Sequence, residues 1–287
     1  MAHTIGIIGG SGLYDLEGLE DRREERVETP FGAPSDALMR GRMGDTELVF
    51  LARHGRGHVH SPTSVPYRAN LWALKSVGVD WVISVSAVGS LQEHIAPGDV
   101  VVIDQFIDRT RSRTNTFFES GIVAHISFGD PICPTLRGYL LEAARAEGAT
   151  VHDGGTYLAM EGPAFSTRAE SNLYRSWGAH VIGMTNLPEA KLAREAEMSY
   201  ATLAMSTDYD CWHPEHGNVT VEQVIGVLMQ NVALAKRILA RSVPLIAAHD
   251  GPAPASRALK NAILTNPAAV DPEQRSRLDL LVKKYLG

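Results

Sequence analysis

The chain is nearly free of cysteine. Cys133 and Cys211 are the only two in 287 residues, and they lie far apart without the paired spacing of a zinc site. That argues against a disulfide scaffold and fits a reducing compartment, so a cytoplasmic protein is expected. No apolar run approaches the ~20 residues a membrane helix needs. The N-terminus, Met1-Ala2-His3-Thr4-Ile5-Gly6-Ile7-Ile8, has no basic region followed by a signal-peptide core. An excess of positive charge is also missing: 27 Lys and Arg against 33 Asp and Glu give a formal net charge of -6. This argues against broad binding to nucleic acid or to an anionic membrane, while leaving room for a small anion held by a few local donors. The remaining composition, 44% hydrophobic and 21% charged, is that of a globular protein with one large core or two smaller ones.

Short apolar strands alternate with amphipathic helices throughout. Strands are expected at Ile5–Ile8, Glu24–Val27, Leu38–Arg42, Leu48–Ala52, Trp81–Leu91, Val100–Asp104, Gly155–Pro163, Val181–Thr185 and Tyr200–Ala204. Helices are expected at Tyr67–Val77, Thr135–Glu147, Thr167–Trp177, Glu189–Met198 and Val221–Arg241. Asp108–Phe118, polar and rich in Thr, reads as a loop. After Ser242 the pattern loosens, with short helical stretches at Arg257–Leu264 and Glu273–Leu286. There is neither a repeat nor a convincing linker, so a single α/β domain over 1–287 is expected, with a less regular extension from about 243.

The chemistry gathers at strand ends. Gly9-Gly10-Ser11-Gly12 follows the first strand, but Asp15 stands where a dinucleotide fingerprint needs its third glycine. The turn could be an anion-binding nest of backbone N–H groups or a plain turn. Arg53-His54-Gly55-Arg56-Gly57-His58-Val59-His60 follows another strand. Its three histidines have no accompanying acid or cysteine, so an anion site is favoured over a metal site. Arg53 would fork onto oxyanions and His54 would donate beside it; a solvated basic loop is the other reading. The last strand leads into Thr207-Asp208-Tyr209-Asp210-Cys211-Trp212. If extended geometry persists, Asp208 and Asp210 share a side and Tyr209 takes the other. Two acceptors would then sit at a carboxyl strand end, where open α/β sheets bind ligands and where a 6-aminopurine could present donors. A turn made by the aspartates is the other reading.

The segments Gly6–Leu13, Thr29–Asp36, Leu51–Arg56, Pro97–Asp99, Asp104–Thr110, Met160–Pro163, Met184–Ala190 and Thr207–Trp212 resemble the trimeric purine nucleoside phosphorylase family, in consistent order from residue 5 to about 245. The resemblance implies an α/β fold with a central mixed, partly barrel-like sheet flanked by helices. It also implies a homotrimer with active sites near subunit interfaces. Ser11, Arg53, His54, Ser86, Ala87 and Thr185 would bind phosphate. Met184 would lie against the ribose, and Phe165 and Ser166 would line the base and sugar region. Asp208 and Asp210, flanking Tyr209, would hold the adenine. Val221 and Val224 would wall a 5'-methylthio group, and His125 would reach that pocket from a neighbouring subunit. Ser11 and Ser86 stand where the family has Thr, which keeps a hydroxyl, and Ala164 stands where a longer polar residue is familiar.

The implied reaction is phosphorolysis of 5'-methylthioadenosine to adenine and 5-methylthioribose-1-phosphate, in purine and methionine salvage. Phosphate is a co-substrate, and neither a metal nor an organic cofactor is implied. Asp208 would assist the leaving purine at N7. A free Asp titrates near ~3.9, so an acid role needs burial or a nearby anion to raise it. Cys211 is expected to pack rather than attack. The rivals are a broader phosphorylase acting on adenosine, inosine or methylthioinosine, an NAD-binding protein, and a non-catalytic purine binder. The paired carboxylates disfavour a 6-oxo purine, and the missing glycine disfavours NAD.

Overall fold

The computed structural model describes residues 2–214 and 221–286; the side chains of Ser11, of residues 221–225 and of residue 228 are not among those described. The strands are β1 (Thr4–Gly9), β2 (Glu20–Glu25), β3 (Leu38–Met43), β4 (Thr46–Ala52), β5 (Trp81–Ser90), β6 (Val100–Val102), β7 (Gln105–Arg109), β8 (Val151–Asp153), β9 (Thr156–Met160), β10 (Val181–Gly183) and β11 (Ser199–Asp208). The helices are α1 (Tyr67–Ser76), α2 (Pro134–Ala146), α3 (Arg168–Ser176), α4 (Asn186–Glu195), α5 (Val221–Ala247), α6 (Pro272–Arg277) and α7 (Asp279–Leu286). The fold is α/β, with one mixed sheet flanked by helices.

β5 organises the sheet. It runs parallel between β1 and β11 and turns its end antiparallel to β10. β11 continues to β6, while β10 continues to β9 and β9 to β7. Only Ile103 and Asp104 separate β6 from β7, so the path β5–β11–β6, then β7–β9–β10–β5, closes on itself. This is the barrel-like part. β4, β3 and β2 extend an open wing from β1. Ile5, Phe50, Trp81, Val82, Ile83, Leu203 and Ala204 are fully buried, because strands covered on both faces read as continuous apolar runs.

Local chemistry sets several boundaries. Thr167 caps α3 by a capping box with Glu170, each side chain accepting from the other's backbone N–H. Pro134 occupies the first turn of α2, where a missing N–H costs nothing, and Gly148 closes its end at φ +72°. Three expectations need correction. Asp108 and Arg109 belong to β7, because pairing with β9 recruits a polar stretch that no apolar pattern marks. Arg257–Leu264 forms turns and a bridge rather than a helix. α5 runs past position 243 to Ala247 with Pro244 inside it, and Val243 and Ile246 are buried. Among the described residues, no helix is long and apolar enough to cross a membrane.

Candidate active site

Parallel pairing brings the carboxyl ends of β1, β4, β5 and β11 together, and β10, though antiparallel to β5, delivers Met184 and Thr185 to the same rim. Register sets the neighbours: Ile182 lies opposite Gly89 of β5, so the chain beyond Gly183 runs toward Ala87 and Ser86. Ala87 is exposed although Ser86 and Val88 beside it are buried, which opens the rim at this point. Ser86 Oγ lies 3.3 Å from the Tyr157 hydroxyl, and Thr185 is buried without its side chain capping α4. Hydroxyls and backbone groups of β5 and the β10–α4 turn thus share one small region.

Arg53 follows β4 and is 3% exposed. Its fork does not open onto solvent. Nε and Nη2 donate to the two oxygens of Glu189 at 2.7 and 3.1 Å, Nη2 also reaches Ser84 Oγ at 2.6 Å, and Nη1 donates to Val85 O at 3.1 Å. Burial opposes the charge, and Glu189 keeps it. At most one N–H of Nη1 is left for an anion, so the expected fork onto oxyanions is instead a fork onto a carboxylate. Ser84 and the Tyr200 hydroxyl also donate to Glu189, and Asn186 Nδ2 donates to Ser84 and Tyr200.

His54 differs from expectation in the same way. Its Nδ1 lies 2.8 Å from His60 O, and a carbonyl only accepts, so Nδ1 carries the proton. Burial, assisted by Arg53 and His58, lowers its pKa to about 4. The neutral ring therefore offers Nε2 as an acceptor, not a donor. It stacks on His58 with centroids 4.3 Å apart, and no group of three metal-binding side chains occurs among the described residues.

The aspartate pair is built by a turn. β11 ends at Asp208, and Asp210 adopts a left-handed backbone with φ +48°. The assumption of persistent extension fails because Asp208 Oδ1 accepts the Asp210 N–H at 2.8 Å, curling the chain back. Asp208 Oδ2 accepts from the Thr207 hydroxyl at 2.7 Å. Burial raises the pKa of both aspartates, for Asp208 against those two hydrogen bonds. Asp210 is 5% exposed; Ser171, Ser166 and the Cys211 N–H lie near its carboxylate and oppose the effect of burial, while its Oδ2 has no well-formed hydrogen bond among the described residues. Gly89 lies beneath the pair: a Cβ there would stand 2.9 Å from Asp208 Oδ1. Tyr209 engages elsewhere, its hydroxyl on Glu93 O and its ring against Trp212 and His213.

The remaining expected residues fall in three places. Phe165 (45% exposed) and Ser166 lie on the loop between β9 and α3, and buried Cys211 donates its thiol to Ser166 O at 3.2 Å. Met184 lies against the same loop, since a Cβ at Gly162 would stand 2.5 Å from its sulfur. His125 is exposed, on a segment tied to the C-terminal region by His125 N–H to Ala262 O and Leu264 N–H to Val123 O, each 2.9 Å. Among the described residues it makes no hydrogen bond, ion pair or ring contact with the rim. Ser11 opens a 3-10 turn after β1, and Val221 and Val224 open α5; their side chains lie outside those described.

Sequence reasoning missed Glu189, Ser84, Tyr200 and Asn186, which surround Arg53, and Arg113, whose guanidinium is buried. Arg113 donates to the carbonyls of Met160, Glu161, Met184 and Leu187. Glu161 beside it is pushed up by burial. Hydrogen bonds from Thr63, Arg111 and Ser112, with the charge of Arg113, nevertheless hold it at about 2. The only signal was that Asn186 and Glu189 fall within the Met184–Ala190 motif.

Residues 4–244 match the phosphorylase superfamily. The S-methyl-5'-thioadenosine phosphorylase of Thermosynechococcus vestitus is 59% identical, with 100% of each chain covered. A methylthioadenosine phosphorylase from an Antarctic soil metagenomic library superposes with a TM-score of 0.91 at 47% identity, covering 98% of this chain and 99% of that one. A mutant adenosine/methylthioadenosine phosphorylase from Schistosoma mansoni, solved with methylthioadenosine, gives a TM-score of 0.80 at 39% identity, covering 86% of this chain and 93% of that one. Rim and relatives agree, and the chain belongs to the S-methyl-5'-thioadenosine phosphorylase family within the phosphorylase superfamily.

Proposed function

We propose that this chain catalyses phosphorolysis of 5'-methylthioadenosine, giving adenine and 5-methylthioribose-1-phosphate. The carrying observation is the buried carboxylate pair, in which Asp210 Oδ2 has no well-formed hydrogen bond among the described residues, beside a rim of hydroxyls and backbone donors. A buried acceptor without a donor is costly, and a purine 6-amino group supplies one. Asp208, raised by burial, gives or shares a proton at N7. The C1'–N9 bond breaks and its electron pair passes to the purine. A phosphate oxygen forms the new bond to C1', its charge stabilising the cationic sugar. Ser11, Ser86, Ala87, Thr185 and the spare N–H of Arg53 hold phosphate, and His54 Nε2 accepts from a protonated phosphate oxygen. Met184, Phe165 and Ser166 frame the sugar and base. Tyr209 shapes the turn from behind. Val221 and Val224 wall the 5' group.

The reading extends to the assembly. The exposed His125, with exposed Val123 and Leu264 beside it, suits insertion into a neighbour's 5' pocket in a homotrimer. We assign the whole span 1–287 to one catalytic domain working in the cytoplasm, with phosphate as co-substrate and no resident metal or organic cofactor. Steady-state kinetics with 5'-methylthioadenosine, with and without phosphate, beside adenosine and inosine, tests the assignment. Adenine release that requires phosphate, with inosine poorly cleaved, is expected. Release without phosphate would mean hydrolysis, and equal cleavage of inosine would overturn the carboxylates as a 6-amino selector.

A further inference from the structure

Two turns carry the groups that must meet during reaction. The chain after β9, through Glu161 and Gly162, leads to Phe165 and Ser166 on the base side. The chain after β10 carries Met184 and Thr185 on the sugar and phosphate side. Strand pairing between β9 and β10 ends at Gly183 opposite Ala159, so beyond it no ladder joins the two. Arg113 does. Its Nη2 donates to Met160 O at 3.3 Å and Glu161 O at 2.6 Å, and its Nη1 donates to Leu187 O at 2.7 Å and to Met184 O. The Arg113 side chain is 1% exposed, with Nε 3.3 Å from the Glu161 carboxylate and Nη1 3.1 Å from the Tyr67 hydroxyl. Four carbonyls from two turns thus converge on one planar fork.

We propose that Arg113 is a positioning residue for this reaction: it locks the base-side turn to the sugar-and-phosphate turn and so sets the reach of phosphate to C1'. Arg113 touches no reacting atom in this arrangement. A Lys ammonium has three donors and no planar fork, so it does not span four carbonyls in the same way. Misplacement of reacting groups by about 1 Å costs on the order of a hundredfold in rate. The loss should fall on kcat, because each turn still binds its own half of the substrates.

The inference rests on the phosphorolysis reading, and the parent enzyme separates the two: a parent inactive with 5'-methylthioadenosine and phosphate defeats that reading, not this one. With an active parent, Arg113→Ala and Arg113→Lys are assayed for kcat, both KM values and melting temperature. Expected are a roughly hundredfold fall in kcat with each KM within about threefold, no rescue by Lys, and partial recovery of kcat in Arg113→Ala on adding guanidinium at non-denaturing concentration. A lowered melting temperature with parental kcat and no effect of guanidinium on rate would reduce Arg113 to a structural role. Should neither variant fold, Arg113→Gln, which keeps a planar donor group but reaches fewer of the four carbonyls, takes their place. A kcat lowered severalfold at unchanged phosphate KM supports the lock, and an unchanged kcat overturns it.

Discussion

Asp208 carries two duties on two oxygens. One accepts the Asp210 N–H and makes the turn; the other accepts the Thr207 hydroxyl. Burial still raises its pKa, so the protonated form persists to higher pH than for a free carboxyl. The sign follows: an acid role is present at low pH and fades as pH rises through the folded pKa. We predict that Asp208→Asn lowers kcat by roughly 10²–10⁴ and removes that descending limb from the kcat profile. A variant that retains the limb would assign it to another group. Gly89 tests the same pair through space. Gly89→Ala puts a methyl 2.9 Å from Asp208 Oδ1, so kcat is expected to fall while the KM for phosphate holds. Arg53 is the contrasting case. It and Glu189 are both buried, and stripping one partner from such a pair costs about 3–5 kcal/mol because the other charge is stranded.

At the scale of elements, α4 joins the site to the core. It starts beside Thr185, carries Glu189 to Arg53, and ends at Glu195. Glu195 is 4% exposed, accepts the Phe117 N–H and the Thr116 hydroxyl at 2.7 Å each, and is raised by burial to about 7. A folded pKa above the unfolded one means the native state holds the proton more tightly. The associated stability is present below the unfolded pKa and is lost as pH rises through 7. Glu195→Gln can accept from Phe117 and donate to Thr116 without a charge. We predict a melting temperature equal to the parent's at pH 5 and several degrees higher at pH 8, read by thermal scans across pH. A variant that melts lower at both values would show that the carboxylate itself is needed. Elements such as β1, β4, β5 and β11 were legible in the sequence because strands buried on both faces are runs of apolar residues. β8, polar β7 and the left-handed Asp210 were not, since pairing and a single local hydrogen bond decide them. The site was legible as clusters at strand ends and as motifs. Its supports were not: Glu189 is 136 residues from Arg53, and no spacing rule joins them before the sheet does.

The proposed trimer would add a relation that one chain cannot make. His125 is exposed and tied to the Ala262–Leu264 segment, and among the described residues it has no hydrogen bond to Asp208 or Asp210, yet the proposed pocket needs it. Symmetry resolves this if each subunit lends His125 to the next around a ring. Mixing two damaged chains distinguishes the arrangements. Asp208→Asn removes the proposed catalytic acid, and His125→Ala should raise the KM for 5'-methylthioadenosine by about tenfold while sparing kcat, as loss of a binding contact does. If His125 serves its own chain, every chain with an intact Asp208 in the mixture also lacks His125, and no site with parental KM can form. If it serves a neighbour, trimers reassembled from equal amounts contain intact sites where a His125→Ala chain receives the His125 of an Asp208→Asn chain, about a quarter of all sites with random mixing. The expected result is a kinetic component with parental KM that appears only after the two proteins are dissociated and reassembled together. Its absence, with mixed trimers verified by mass, would place His125 outside the neighbour's pocket.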